Sequence, residues 1–366
     1  MEKQAKRIGI VNSGGDCAGM NAVLSAVVKT GVSLGYEFIG FRYGFEGVLN
    51  PARYIPMNLD TVRGISHLGG TILQTVNKGR FAAKVGAGEE RRIPTEILEE
   101  AKSNIDRLGI EALIVIGGDG TQAGALQLQE EMGINIVAVP KSIDNDLRGT
   151  DRTFGLSTAV DIVTEAHGKI HSTAMSHDRV IIIEVMGRYT GWLALYGGLG
   201  GGSKVILIPE IPFKVENIVN FLRSRVEIGE RSTVIAVAEG AKEKDMEKLA
   251  TDNIGGTQEV HLGGIADYVM ERIKQIAPNE FEMRTLVLGH LQRGGMPNAE
   301  DRILSYRYGV AAMNAVHNQN FGKMVCLRGG EIKMVDIREA VSGLKMVDPD
   351  SEIVRVARSI GVCFGD

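Results

Sequence analysis

Apolar runs recur along the chain, and each is followed by a glycine-rich or charged segment. Runs at 7–11, 38–43, 113–116, 134–139, 180–185, 205–208, 233–238 and 285–288 are short and mostly unbroken. That pattern predicts strands covered on both faces, as in parallel sheets. Longer mixed segments at 22 to about 34, 94–108, 122–132 and 158–170 predict helices between them. Pro94 opens the second of these and Gly109 follows its end, the usual helix punctuation. Strands alternating with helices imply an α/β protein, and no strict short repeat is present. Two strand-rich halves, roughly 1–155 and 156–291, imply two similar lobes with a site in the cleft between them.

One stretch concentrates candidate chemistry. The run ending at Ile116 leads into Gly117, Gly118, Asp119, Gly120 and Thr121, then a helix, then a second run that opens into Pro140, Lys141, Ser142, Ile143, Asp144, Asn145 and Asp146. In a parallel sheet both loops emerge at carboxyl ends of strands, where open α/β folds bind ligands. Glycines let backbone N–H groups approach phosphate, and Thr121 is placed to cap the following helix. Asp119 beside phosphate is tolerated if Mg²⁺ lies between them. A second strand–glycine loop–helix unit carries Ser13, Gly14, Gly15 and Asp16. By itself it fits a tight turn as well as a phosphate cradle. Gly69, Gly70 and Thr71 precede Asn77, Lys78, Gly79 and Arg80, cations that suit either phosphate or a solvated loop.

Composition narrows the class. The 366 residues are 44% hydrophobic, enough for two domains with real cores. Net charge is −4, with the signs well mixed, which argues against a nucleic-acid footprint. No run is long enough to span a bilayer and no signal peptide is evident. Cys17, Cys326 and Cys363 are too few and too scattered for a disulfide framework, so a cytoplasmic location is expected.

A second anion site is implied by Arg179, Arg188, Arg284, Arg293 and His290, expected near carboxyl ends of strands. Together these features suit phosphoryl transfer: neutralised donor phosphates, an acceptor hydroxyl facing a base, and cations for the transition state. Asp144 fits the base, and Asp146 fits a partner that tunes it or helps hold the metal.

The set Ser13 to Asp16, Gly117 to Thr121, Pro140 to Asp146, Met186-Gly187-Arg188 and His290 to Gly295 resembles the 6-phosphofructokinase family, in family order. The resemblance implies two Rossmann-like lobes with mainly parallel sheets. Residues 1–155 plus about 292–340 would form the donor lobe, and 156–291 plus about 341–366 the sugar-phosphate lobe. It implies Mg²⁺-dependent phosphorylation of the 1-hydroxyl of fructose 6-phosphate. Gly15, Gly118, Asp119, Gly120 and Thr121 would meet ATP, with Asp119 on Mg²⁺. Ser142, Ile143, Asp144, Met186, Gly187, Arg188, Glu239, His290, Leu291, Gln292 and Arg293 would meet the sugar phosphate. Asp144, Asp146 and Arg188 would be catalytic. Arg179 and Arg284 match arginines that reach in from a neighbouring subunit, implying a homo-oligomer, a tetramer or a dimer.

Gly120 leaves room for a nucleotide and points to ATP, whereas Lys141 is the residue that pyrophosphate users carry. The family's donor-phosphate arginine is replaced by Asn77, with Lys78 or Arg80 as stand-ins. Ser25, Lys29 and His171 fall where regulated members hold a basic effector pocket, so weak effector control is expected. Two alternatives are a pyrophosphate-dependent enzyme and an inactive sugar-phosphate- or nucleotide-binding regulatory subunit.

Overall fold

The computed structural model describes residues 6–76, 79–81, 92–244 and 264–366. Two compact units emerge: Met1–Thr158 with Arg293–Lys345, and Ala159–Gln292 with Met346–Asp366.

The first unit begins with β1 (Lys6–Asn12), α1 (Met20–Ser33), β2 (Tyr36–Phe41) and β3 (Tyr54–Met57). α2 (Thr95–Arg107), β4 (Ile110–Gly117), α3 (Asp119–Met132), β5 (Ile136–Ser142) and the two-residue β6 (Phe154–Gly155) follow. α4 (Leu156–Ser176) leaves this unit. Its sheet runs β12-β11-β5-β4-β1-β2-β3, with β11 (Lys323–Arg328) and β12 (Glu331–Asp336) added from the returning chain. The central pairs are parallel, and only the outer β2–β3 and β11–β12 pairs are antiparallel. Leu113, Val115, Ile136 and Ala138 are fully buried on one face against Leu98 and Leu128 of α2 and α3. Burying such a side chain contributes roughly 1.5–3 kcal/mol. That apolar demand explains why these runs read as strands.

β5 extends beyond the apolar run that predicts it. Pro140 lies inside the strand, past Ala138 where pairing to β11 stops and before Lys141 where pairing to β6 begins. Pro140 pairs with Gly117 of β4, and a proline is tolerated there because the other edge has no strand partner at that residue. Lys141 and Ser142 are therefore strand residues, both buried, and the loop proper starts at Ile143.

In the second unit, β7 (Arg179–Val185), α5 (Trp192–Gly200), β8 (Val205–Leu207), α6 (Val215–Glu227) and β9 (Thr233–Ala238) precede α7 (Ile265–Ile276) and β10 (Glu282–Val287). The sheet order is β10-β7-β9-β8, all parallel. α8 (Ala299–His317) returns to the first unit; α9 (Ile337–Ala340) follows β12 there, and α10 (Glu352–Ser359) ends the second.

β10 starts three residues earlier than its apolar run suggests, because Glu282 pairs with Arg179 in register. This corrects the expectation for two arginines. Arg179 is the first residue of β7 and Arg284 lies in the amino half of β10.

Candidate functional site

β1, β4 and β5 of the first unit end side by side. The Ser13 amide donates to the Ile116 carbonyl at 3.0 Å, joining the β1 and β4 exits. Gly14 turns with φ +81°, a conformation that suits glycine. Its amide donates to Val76 O at 3.3 Å, and its carbonyl accepts from Thr75 Oγ1 at 2.6 Å. Asn21 fastens the same segment, accepting from the Ile72 amide at 2.9 Å and donating to Leu68 and Gly69 carbonyls at 3.2 Å. Fully buried Gln122 donates to Gly117 O and Val139 O at 3.0 and 3.1 Å, spanning β4 and β5. Without it, two buried carbonyls would lose a donor at about 1–3 kcal/mol each.

These exits line a cavity of about 240 Å³. Its walls include Gly14, Gly15, Asp16, Gly118 to Thr121, Lys141 to Asp144, Asp146 and Arg293. Phe45 and Phe81, stacked at 4.2 Å between centroids, and Glu46 form another wall.

α3 begins at Asp119, earlier than its apolar pattern implies, with Gly118 as the cap and no side-chain cap bond. Thr121 is thus the third residue of the helix rather than its cap, because glycine backbone opens the first turn directly. Burial, and then the Asp146 charge, push the Asp119 carboxyl up to about 6. Lys141 partly offsets both. Its ammonium donates to the Gly15 carbonyl, and burial pulls its pKa below the usual lysine value.

The acidic loop is internally tied. Ser142 Oγ donates to Asp146 Oδ1 at 2.8 Å and accepts from the Asp144 amide at 3.1 Å. Asn145 adopts φ +52°, and its side-chain oxygen accepts the Thr153 amide at 3.0 Å. Ile143 is buried, and Asp144 is half-buried on the cavity wall.

Arg293, expected with the sugar-phosphate group, belongs to the first unit, where its Nη1 donates to Asp16 O at 3.4 Å. A Cβ on Gly15 would lie 1.7 Å from Nη1, so this placement requires glycine. Arg80 does not line the cavity; it pairs with Glu46 and Glu100 at 3.8 and 3.2 Å. Asn77 and Lys78 lie outside the described residues.

The second unit gathers another set at the carboxyl ends of β7 and β9. Met186, Gly187 and Arg188 follow β7, and Glu239 follows β9. The Gly240 amide donates to Gly187 O at 3.1 Å, and a Cβ on Gly240 would sit 2.0 Å from Arg188 O. Exposed Arg188 lies 5.0 Å over the Tyr189 ring. His290 and Leu291 are exposed after β10, whereas Gln292 is buried. Its amide accepts from Met186 N at 3.1 Å and donates to Gly289 O at 2.9 Å, so it braces the loop rather than facing a ligand. Arg179 and Arg284 stand at the opposite end, both on Glu282.

The phosphofructokinase model matches residues 7–316. The chain belongs to the phosphofructokinase family. It is 45% identical to the ATP-dependent 6-phosphofructokinase of Chloroflexus aurantiacus, across all of this chain and 99% of that one. It is also 44% identical to the pyrophosphate--fructose 6-phosphate 1-phosphotransferase of Streptomyces coelicolor, across 98% and 100%. The phosphofructokinase of Saccharomyces cerevisiae superposes with a TM-score of 0.77 at 30% identity, over 92% of this chain and 45% of the yeast chain. Family membership thus accords with the order of the motifs.

Several residues that shape the site carry no motif. Asn21, Gln122 and Thr153 hold backbone groups that line or support the cavity, and no local spacing marks them.

Proposed function

We propose that the chain is an ATP-dependent 6-phosphofructokinase that transfers the γ-phosphoryl group to the 1-hydroxyl of fructose 6-phosphate. The observation that carries this is one cavity in which two glycine turns, Asp119 and Lys141 face the Asp144–Asp146 loop. The first unit is the donor lobe and the second the sugar-phosphate lobe.

The backbone of Gly15 and Gly118 to Thr121 receives the donor phosphates, aided by the amino end of α3. Asp144 accepts the proton of the acceptor hydroxyl. Ser142 and Asp146 orient it. Met186, Gly187, Arg188, Glu239, His290, Leu291 and Arg293 receive the sugar phosphate, and Gln292 braces Met186. Asp119 fits a Mg²⁺ site. Its carboxyl is raised by burial and by Asp146, the condition a divalent cation relieves. Among the described residues no group of three or more metal-ligating side chains converges. Mg²⁺ is held by one or two carboxylates beside waters and donor phosphates. When bound, the cation neutralises the donor phosphates.

Arg179 and Arg284 act in a neighbouring subunit. Six residue steps separate Arg179 from Val185 along β7, about 20 Å at roughly 3.3 Å per step. One chain therefore cannot easily bring Arg179 and Arg188 to one phosphate, which supports a homo-oligomer with shared sites.

Pyrophosphate is the second reading. Buried Lys141 at the glycine turn and the Streptomyces relative favour it. Gly120, the smallest residue at its position, favours ATP. Formation of fructose 1,6-bisphosphate from fructose 6-phosphate and Mg²⁺, with each donor in parallel, decides between them. Turnover with ATP alone is expected; turnover with pyrophosphate alone overturns the donor assignment, and turnover with neither overturns the activity.

A further inference from the structure

The segment after Asp144 leaves the cavity as a loop whose backbone is satisfied from far along the chain. Thr153 closes its base: the amide donates to Asn145 Oδ1 at 3.0 Å, and the hydroxyl donates to Ser142 O at 2.6 Å. Within that closure Leu147 bridges Leu344, and Arg148 Nε donates to Leu344 O at 3.2 Å. Lys345 completes the contact. Its amide donates to Asp146 O at 2.7 Å, and its ammonium donates to Thr150 O and Asp151 O, both at 2.9 Å.

We propose that Lys345, the last residue of the first unit, is a positioning residue for Asp144, holding the 144–153 loop in its working shape from inside. The role rests on the phosphofructokinase reading of Asp144. Thr150 is buried, so its carbonyl needs a donor from the protein, and an ammonium supplies three donors on one flexible stem. Asp146 and Asp151 face it with negative charge, and Arg152 opposes. Burial lowers its pKa to about 8, so near neutrality the cationic donor form persists. A proton acceptor displaced by about 1 Å loses on the order of 100-fold in rate. Slackening the loop by removing two side-chain bonds therefore acts on turnover before it acts on binding.

The test compares the native protein with Lys345→Met, Lys345→Gln and Lys345→Arg. Two readouts are used: steady-state kinetics with fructose 6-phosphate, and hydrogen exchange of peptides covering residues 143–154, which needs no substrate. In Lys345→Met, kcat is expected to fall about tenfold with both KM values within about twofold, and exchange in the loop to accelerate. Lys345→Arg, which keeps charge and donors, restores most of both. Lys345→Gln keeps a neutral donor, falls between them, and carries the comparison if the methionine variant fails to fold. Unchanged kcat, unchanged loop exchange, or a kcat loss that appears only with raised KM and lower thermal stability overturns the proposal. If the native protein phosphorylates no fructose 6-phosphate with either donor while the loop still loosens, the functional reading fails and the positioning of the loop stands.

Discussion

Arg179 and Arg284 donate to the same carboxylate oxygen, Glu282 Oε1, at 2.7 and 3.0 Å. Two guanidinium groups on one acid leave positive charge at the amino end of the second sheet, away from Arg188. If that charge completes a neighbour's site, defects in different subunits compensate. Arg179→Ala and Asp144→Ser are each expected to be nearly inactive alone. Mixed oligomers formed by co-expression then regain activity, because some sites hold native Arg179 from one chain and native Asp144 from the other. Absence of any regain in verified mixed oligomers argues against sharing.

Asp144→Ser alone tests the proposed base. Turnover is expected to fall by roughly two orders of magnitude or more, the usual size of a general-base contribution. Binding of fructose 6-phosphate, followed by calorimetry, stays close to native. Unchanged turnover removes Asp144 from the mechanism.

Lys141 ties the end of β5 to the Gly15 carbonyl and offsets the Asp119–Asp146 repulsion. Lys141→Met is expected to lower kcat/KM for the phosphoryl donor by about tenfold or more, since a buried cation at the glycine turn is lost. Gly120→Asp adds charge and bulk at the donor loop and is expected to lower ATP-dependent kcat/KM by about 100-fold. Retained ATP use in Gly120→Asp would sink the argument that this position selects the donor.

Glu210 gives a pH-dependent prediction. Its Oε1 accepts the Gly191 amide at 3.0 Å and the Val347 amide at 2.9 Å. Burial raises its pKa above the ordinary 4.5 despite those bonds. Between the unfolded and folded values the native state holds a proton that the unfolded chain has released. Stability from this group therefore falls as pH rises through that window and stays reduced above it. A glutamine carbonyl can accept both amides without the charge. Glu210→Gln is expected to melt higher than the native protein near neutral pH, with the gap closing below about pH 4.5. A lower melting temperature at neutral pH would show that the carboxylate itself is needed.

Most strands were legible because their cause is local. Val180, Ile182, Ile235 and Val237 are apolar where both faces of a sheet are covered, and that need is written directly in composition. The glycine and acidic loops that line the cavity were legible for a similar reason, since glycines and acids behind apolar runs mark strand exits. Strand ends were less so. Pro140 and Lys141 look like a loop in isolation, and only the pairing of Pro140 with Gly117 of β4 and of Lys141 with Phe154 of β6 makes them strand. Arg179 and Arg284 looked like carboxyl-end residues until the Glu282–Arg179 register placed them at the other end.

The amino-acid sequence by itself determined the α/β alternation, the glycine turns at Gly14 and Gly118, and the acids Asp119, Asp144 and Asp146. Each depends on backbone preference and hydrophobic burial over a few neighbouring residues. Tertiary structure alone decided that Arg293 lies against Gly15, that Arg80 turns to Glu100, and that Gln292 braces Met186. It also decided that an ammonium 195 residues away from Thr150 fills the loop behind Asp144. Those partners are set by chain closure, which brings distant donors to buried acceptors, and no short spacing encodes it.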